Sequence, residues 1–169
     1  ARDVLNVGAV EYGWLSASLS LGAVVASLTI SQLREIRRQG WVFLGAVVVF
    51  GLATILFGLA RNVPVAIVAL LLIGASDSVS MIIRNTIRQL QTPDYIRGRM
   101  IGVNQIFFMG GPQLGELEAD LVAQFLGAPF AIVSGGIGCI VAVGWVAQRW
   151  PVLRRYNGDE PILAGVKAD

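Results

Sequence analysis

Four carboxylates lie inside long apolar runs of this chain: Asp77, Glu116, Glu118 and Asp120. An ionisable group in a span is costly and faces a bundle interior or a wet cavity. It is therefore suited to taking up and releasing a proton, or to pairing with a cation. On a helix, Gln113, Glu116 and Asp120 share one face, and Glu118 points almost the opposite way. Asp77, Ser80, Arg84 and Arg88 fall within another narrow face. The proton-coupling candidates are Glu116, Glu118 and Asp77. Asp77 is expected about two turns from the cytoplasmic edge of its span and paired with Arg84 or Arg88, a satisfied structural pair being the competing reading. A bound metal is not expected. The chain has no His and one Cys, Cys139. This excludes a His-based relay, Ser/His or Cys/His catalysis, an internal disulfide and a His/Cys metal site. A carboxylate-only cation site at Glu116 and Asp120 is the residual metal reading. No phosphate loop is present. Neither an enzyme nor a cofactor is expected.

These residues need elements to hold them. Of 169 residues, 55% are hydrophobic and 14% charged, a ratio under which a soluble domain would expose too much apolar surface. Five stretches approach the roughly 20 residues that cross a bilayer: 12–30, 41–60, 65–83, 101–125 and 130–148. The reading is an all-α, polytopic helical membrane protein. Residues 1–150 form the transmembrane region, and 151–169 form a mostly irregular tail containing Asn157-Gly158-Asp159 and Pro161.

The basic residues orient the spans. Alternate gaps hold Arg34, Arg37, Arg38, Arg84, Arg88, Arg97, Arg99, Arg149, Arg154, Arg155 and Lys167; the other gaps hold only Arg2 and Arg61. Lys and Arg collect in cytoplasmic loops. The N-terminal end of the chain is expected outside and the C-terminus in the cytoplasm of a plasma (inner) membrane. The basic edges meet lipid headgroups of the bilayer, and nucleic acid is not an expected partner. Five is an odd number of spans and the first starts outside, so a piece of a longer chain is expected.

Several details bear on packing and transport. Ser18, Gly22 and Ala26 line one face of the first stretch, and Ser134, Gly138 and Ala142 one face of the last. Small residues let membrane helices approach closely. In the fourth stretch Gly110 and Gly111 weaken the helix, and Pro112 lacks a backbone donor, so a kink or break is expected there. Broken helices mark binding sites in transporters. Asn104, Gln105, Phe108 and Gln113 are the substrate-path candidates. Residues 84–100 read as a polar loop with a turn at Thr92-Pro93-Asp94. Arg84, Arg88, Asp94, Arg97 and Arg99 are the cytoplasmic-gate candidates, against a reading as orientation signals alone.

Four segments carry a family resemblance: Ala1-Arg2-Asp3-Val4-Leu5 with Gly8 and Tyr12-Gly13; Ile83-Arg84-Asn85-Thr86 with Gln89-Leu90; Thr92-Pro93-Asp94 with Arg97-Gly98-Arg99; and Gln113-Leu114-Gly115-Glu116-Leu117-Glu118. Residues 1 to about 155 resemble the C-terminal half of a major facilitator superfamily transporter. They are most similar to the bacterial drug- and siderophore-exporter branch of enterobactin-exporter-like transmembrane secretion effectors. The resemblance implies a twelve-helix protein with these spans as the eighth to twelfth, a missing N-terminal half, a pore between the halves, and alternating access that exports a small molecule. Two departures stand out. The loop 31–40 keeps only Arg34, Arg37 and Arg38 of the family's Gly/Asp/Arg motif. The antiporter motif Gly-Pro-x-x-Gly-Gly is matched by Gly111-Pro112-Gln113-Leu114-Gly115, with Glu116 in place of the last Gly. Asp120 stands where relatives carry a small residue, and no family role is assigned to it. The resulting expectation is part of a proton-coupled exporter of drugs, siderophores or other small amphipathic molecules; the alternative is a non-transporting membrane interaction module or an inactive truncated fragment.

Overall fold

In the computed structural model, residues 9–32, 39–91 and 97–149 are described. They form five helices: α1 Ala9–Gln32, α2 Gln39–Leu59, α3 Val63–Gln91, α4 Arg97–Leu126 and α5 Ala128–Arg149. No strand occurs among the described residues, and the fold is all-α. Four helices are long and apolar enough to cross a membrane: Gly13–Gln32, Gln39–Leu59, Val63–Ile87 and Ala128–Arg149. With 30 residues, α4 has the length, about 45 Å at 1.5 Å per residue. Its carboxylates lower its apolarity.

Two expectations are corrected here. The third apolar stretch was expected to end near Ile83 and give way to a polar loop. Instead α3 continues to Gln91, and α4 has already begun at Arg97. Arg84 and Arg88 are therefore helical, as are Arg97 and Arg99. Loss of apolar character ends a span without ending a helix, and 84–91 holds no Gly or Pro. Second, α4 runs unbroken through Gly110, Gly111 and Pro112. Proline removes one hydrogen bond, to the carbonyl four residues earlier, so the expected interruption is at most a bend. The turn at Thr92-Pro93-Asp94, the basic loop residues Arg34, Arg37 and Arg38, and the tail lie outside the described residues.

The helices touch in the order α1–α3–α2–α5–α4, with no other extensive contacts among the described residues. Glycines set the two closest seams. A methyl group on Gly22 would strike the Leu71 carbonyl oxygen, and one on Gly74 would strike that of Leu19. On the other seam, a Cβ at Gly136 would lie 2.8 Å from the Gly51 carbonyl oxygen, and one at Gly51 would lie 2.7 Å from Ile140 Cγ1. Such approach is how membrane helices gain packing energy without a hydrophobic driving force.

The expected face Ser18–Gly22–Ala26 is buried. The expected face Ser134–Gly138–Ala142 is not: all three residues are exposed. On α5 the seam runs instead through Ala131, Gly136 and Ile140. Gly135, Gly136 and Gly138 offer competing small stripes, and the partner glycine on α2 selects among them. Buried hydroxyls turn back on their own helix: Ser18 donates to the Trp14 carbonyl at 2.6 Å and Ser76 to that of Leu72 at 2.6 Å. This satisfies a polar group where no water is available.

The contacts fix the helix directions. Leu15 packs with Ala66 and Ala60, and Gly22 meets Leu71, so α1 and α3 run parallel. Gly51 meets Gly136 and Ile140 while Gly58 meets Ile132 and Val133, so α2 and α5 run antiparallel. The α2–α3 connection is tight, with the Ala60 amide donating to the Phe57 carbonyl at 3.2 Å. The starts of α3 and α5 therefore share one end of the bundle. Gly127 is the only residue between α4 and α5, with φ 89°, a conformation that favours glycine. Since α4 begins after the end of α3 and finishes at Gly127, it traverses the full thickness. Arg84 and Arg149 sit toward one end of the bundle and Arg61 at the other.

Candidate functional site

Asp77 comes fourteen residues after Val63 and ten before Ile87, the limits of the apolar part of α3. At 1.5 Å per residue these are about 21 and 15 Å. It therefore lies well inside the apolar part of α3. The buried side of α3 carries Ala66, Ala69, Ser76, Ser80 and Ile83. Asp77 stands beside that stripe and is exposed, as are Met81 and Arg84 at i+4 and i+7. The face expected to unite Asp77, Ser80, Arg84 and Arg88 therefore divides. Ser80 is 8% exposed and belongs to the packed side, and the Arg88 side chain lies outside the description. Met81 is the member that sequence reasoning missed. Its i+4 spacing from Asp77 was the available signal.

On α4 the described polar side chains Gln105, Gln113, Glu116, Asp120 and Gln124 are all exposed. Gln113, Glu116 and Asp120 keep the common face that their spacing predicts. Measured from Leu126 they stand at depths of about 20, 15 and 9 Å. Gln113 and Asp77 therefore lie at nearly equal depth from the same end of the bundle, on two helices that are not extensive neighbours. The side chains of Asn104, Phe108, Pro112, Glu118, Arg97 and Arg99 lie outside the description although their backbone is helical, and Asp94 lies outside it altogether. Gly110 is half-buried, and a Cβ added there would meet nothing within 4 Å. Among the described residues no group of three or more His, Cys, Asp or Glu could hold a metal ion.

An exposed carboxylate at such depth cannot face hydrocarbon without a cost of several kcal/mol, about 2.5–3.5 for Asp at a span centre on insertion scales. The arrangement thus presents an apolar bundle with exposed polar groups at depth on α3 and α4. Such groups suit contact with water, a proton or a polar cargo.

The profile of the transmembrane secretion effector family matches residues 1–159. Enterobactin exporter EntS of Citrobacter koseri is 30% identical over 161 residues, which cover 95% of this chain and 38% of that protein. EntS of Shigella boydii is 35% identical over 159 residues, 94% of this chain and 38% of the relative. EntS of Shigella flexneri is 34% identical over 159 residues, 94% and 39%. The chain spans about two-fifths of the length of these curated relatives. No solved structure matches it. Its apolar helices and its relatives make it a multi-pass protein of the bacterial inner membrane. The chain belongs to the transmembrane secretion effector family of the major facilitator superfamily.

Proposed function

We propose that this chain is part of a proton-coupled exporter of siderophore-like or other small amphipathic molecules, working by alternating access. One observation carries the reading: Asp77, midway along a helix fit for a bilayer, and Gln113, Glu116 and Asp120, on the less apolar α4 beside such helices, are all exposed. Polar groups at membrane depth are tolerated where they line a cavity. In two-lobed transporters the substrate site lies near the midplane between the repeats. Asp77 and Gln113 stand at that depth. The missing N-terminal half would face them, and α4 would be the eleventh span of the whole protein. Relatives named as enterobactin exporters support the cargo class.

Protonation of a carboxylate biases which side is open, and Glu116, Glu118 and Asp77 are the carriers to test. Arg84, Arg88, Asp94, Arg97 and Arg99 form the gate on the cytoplasmic side in this reading. The orientation follows the basic residues, with the N-terminal end of the chain outside and the C-terminus in the cytoplasm.

The test is siderophore efflux by the complete protein under an imposed inward proton gradient. Glu→Gln mimics the proton-loaded form. Glu116→Gln and Glu118→Gln, singly and together, are expected to abolish gradient-driven export in at least one case while substrate binding persists. Wild-type export in all three variants would make these residues structural. Absence of gradient-driven flux in the unmodified protein would favour an interaction module or an inactive fragment.

A further inference from the structure

Two glycines that take no part in the α2–α5 seam stand opposite each other. Gly45 lies thirteen residues before Gly58 on α2, and Gly144 lies twelve after Ile132 on α5. Gly58 meets Ile132 and the helices are antiparallel, so rises of about 20 and 18 Å bring the two glycines level. Gly45 is six residues from Gly51, and Gly144 is eight from Gly136. At 3.6 residues per turn these are rotations of about 120° and 80° away from the seam, and in an antiparallel pair they turn to the same side. Both glycines are exposed, and a Cβ added at either meets nothing within 4 Å. The pair therefore leaves a notch on one face of the bundle, where each wall lacks a side chain.

The notch belongs to a longer groove. Leu52 and Ile137, each seven residues deeper, continue it towards the middle of the bundle. Trp41 and Gln148, each one turn nearer the helix ends, continue it to the edge, and all four are exposed. From Trp41 to Leu52 is about 16 Å along the helix, the depth of one leaflet in a hydrocarbon core of about 30 Å. No charged residue occurs on α2, and the only one on α5 is Arg149, at its last position. The groove therefore suits hydrocarbon, unlike the faces of α3 and α4 that carry Asp77, Glu116 and Asp120. Its edge has another character. Arg149 is exposed there. The chain enters α2 through Arg34, Arg37 and Arg38 and leaves α5 through Arg154 and Arg155, and Glu35 is the only carboxylate in residues 31–40 and 149–158. Tryptophan at such a level suits the boundary between acyl chains and headgroups.

We propose that this groove holds one phospholipid with an anionic headgroup, an acyl chain lying along Leu52, Gly45, Gly144 and Ile137 and the phosphate between Trp41 and Arg149. Glycine on both walls lets the chain approach the backbone of two helices at once, which adds dispersion contacts that a flat helix surface does not give. Charge complementarity favours a lipid over a second copy of this chain. A two-fold pair on this face brings both sets of arginines to one edge, where like charges repel. An anionic headgroup neutralises them instead, at about fivefold in affinity for each arginine near the surface. The site requires neither the exporter reading nor the assigned orientation.

Native mass spectrometry tests it on the complete protein, delipidated in detergent and titrated with dioleoyl phosphatidylglycerol or dioleoyl phosphatidylcholine. Gly45→Leu with Gly144→Leu fills the notch, at positions whose open surroundings leave folding intact. The expected result is that the wild type retains one phosphatidylglycerol more than this double variant, and holds it about tenfold more tightly than phosphatidylcholine. Arg149→Gln should weaken that phosphatidylglycerol about fivefold and leave phosphatidylcholine unchanged. The two perturbations thus separate: the leucines remove both lipids, and the loss of charge removes only the preference. Equal lipid counts in the wild type and the leucine variant overturn the proposal, as does an Arg149→Gln protein with undiminished preference. A protein dimer that persists at saturating lipid and is split by the leucine pair gives the face to a second copy and overturns it too. Gradient-driven efflux is read separately, and its absence sinks the exporter reading while the lipid site stands.

Discussion

Adding one methyl group to Gly51 or Gly136 should separate α2 from α5 measurably. At Gly136 the new carbon would lie 2.8 Å from the Gly51 carbonyl oxygen and 2.7 Å from Ile55 Cγ1. Carbon atoms pack best at about 3.5–4.0 Å, so one neighbour or the whole helix must give by roughly 1 Å. The oxygen is backbone, which cannot rotate away. Overpacking of this kind costs about 1–3 kcal/mol, or up to two orders of magnitude in the folding equilibrium. The reciprocal change at Gly51 meets Ile140 Cγ1 at 2.7 Å and the Gly136 oxygen at 3.0 Å. Because both act on one gap, Gly51→Ala with Gly136→Ala should cost less than the two separately. Gly138→Ala is the control. It is exposed with open space at its Cβ, and replacing a mid-helix Gly by Ala should stabilise by up to about 1 kcal/mol. Unfolding in mixed detergent, followed by tryptophan fluorescence, reads all four variants. Equal stability of Gly136→Ala and Gly138→Ala would refute the α2–α5 seam.

Other outcomes follow from the same geometry. A cysteine at Asn157 in a Cys139→Ala background should resist membrane-impermeant maleimide in intact cells and react once the membrane is opened; labelling in intact cells would reverse the assigned orientation. Asp77→Asn should weaken export in both directions while the protein still reaches the membrane, measured as flux per molecule in vesicles, and unchanged flux would remove Asp77 from the gate. The isolated chain, with its polar side uncovered, should oligomerise or lose structure in detergent. A monodisperse, heat-stable monomer on size exclusion would show that this side needs no partner.

Sequence showed the architecture because two independent signals agreed. Apolar run length set the number of long segments, and the uneven distribution of Arg and Lys set their alternation. Both survive in helices whose packing contacts fix the same alternating directions. The face Ser18–Gly22–Ala26 was legible because α1 offers one strong small-residue stripe. The α5 seam was not, because Gly135, Gly136 and Gly138 are equivalent until Gly51 is opposite one of them. The extent of α3 was missed for another reason. Hydropathy reports the solvent a segment meets, and the helix persists through Arg84 and Asn85 into a different solvent. Spacing did predict the shared face of Gln113, Glu116 and Asp120, since helical phase depends only on residue number once the helix is unbroken. What spacing could not show was which helix, if any, faces them.

That question narrows to α4. Among the described helices it is the one whose composition falls short of a span, yet connectivity carries it across the whole bundle. Gly127 ties its end to the start of α5, level with the start of α3, and α4 begins at the opposite end. A helix obliged to cross with Glu116 and Asp120 exposed requires a covering surface of water or polar protein over at least half its length. Among the described residues α5 is its one extensive neighbour, and α3 is not one. Glu116 and Asp120 therefore set the requirement that any surface placed over α4 must meet: it has to offer water or a polar partner where a lipid chain would offer neither.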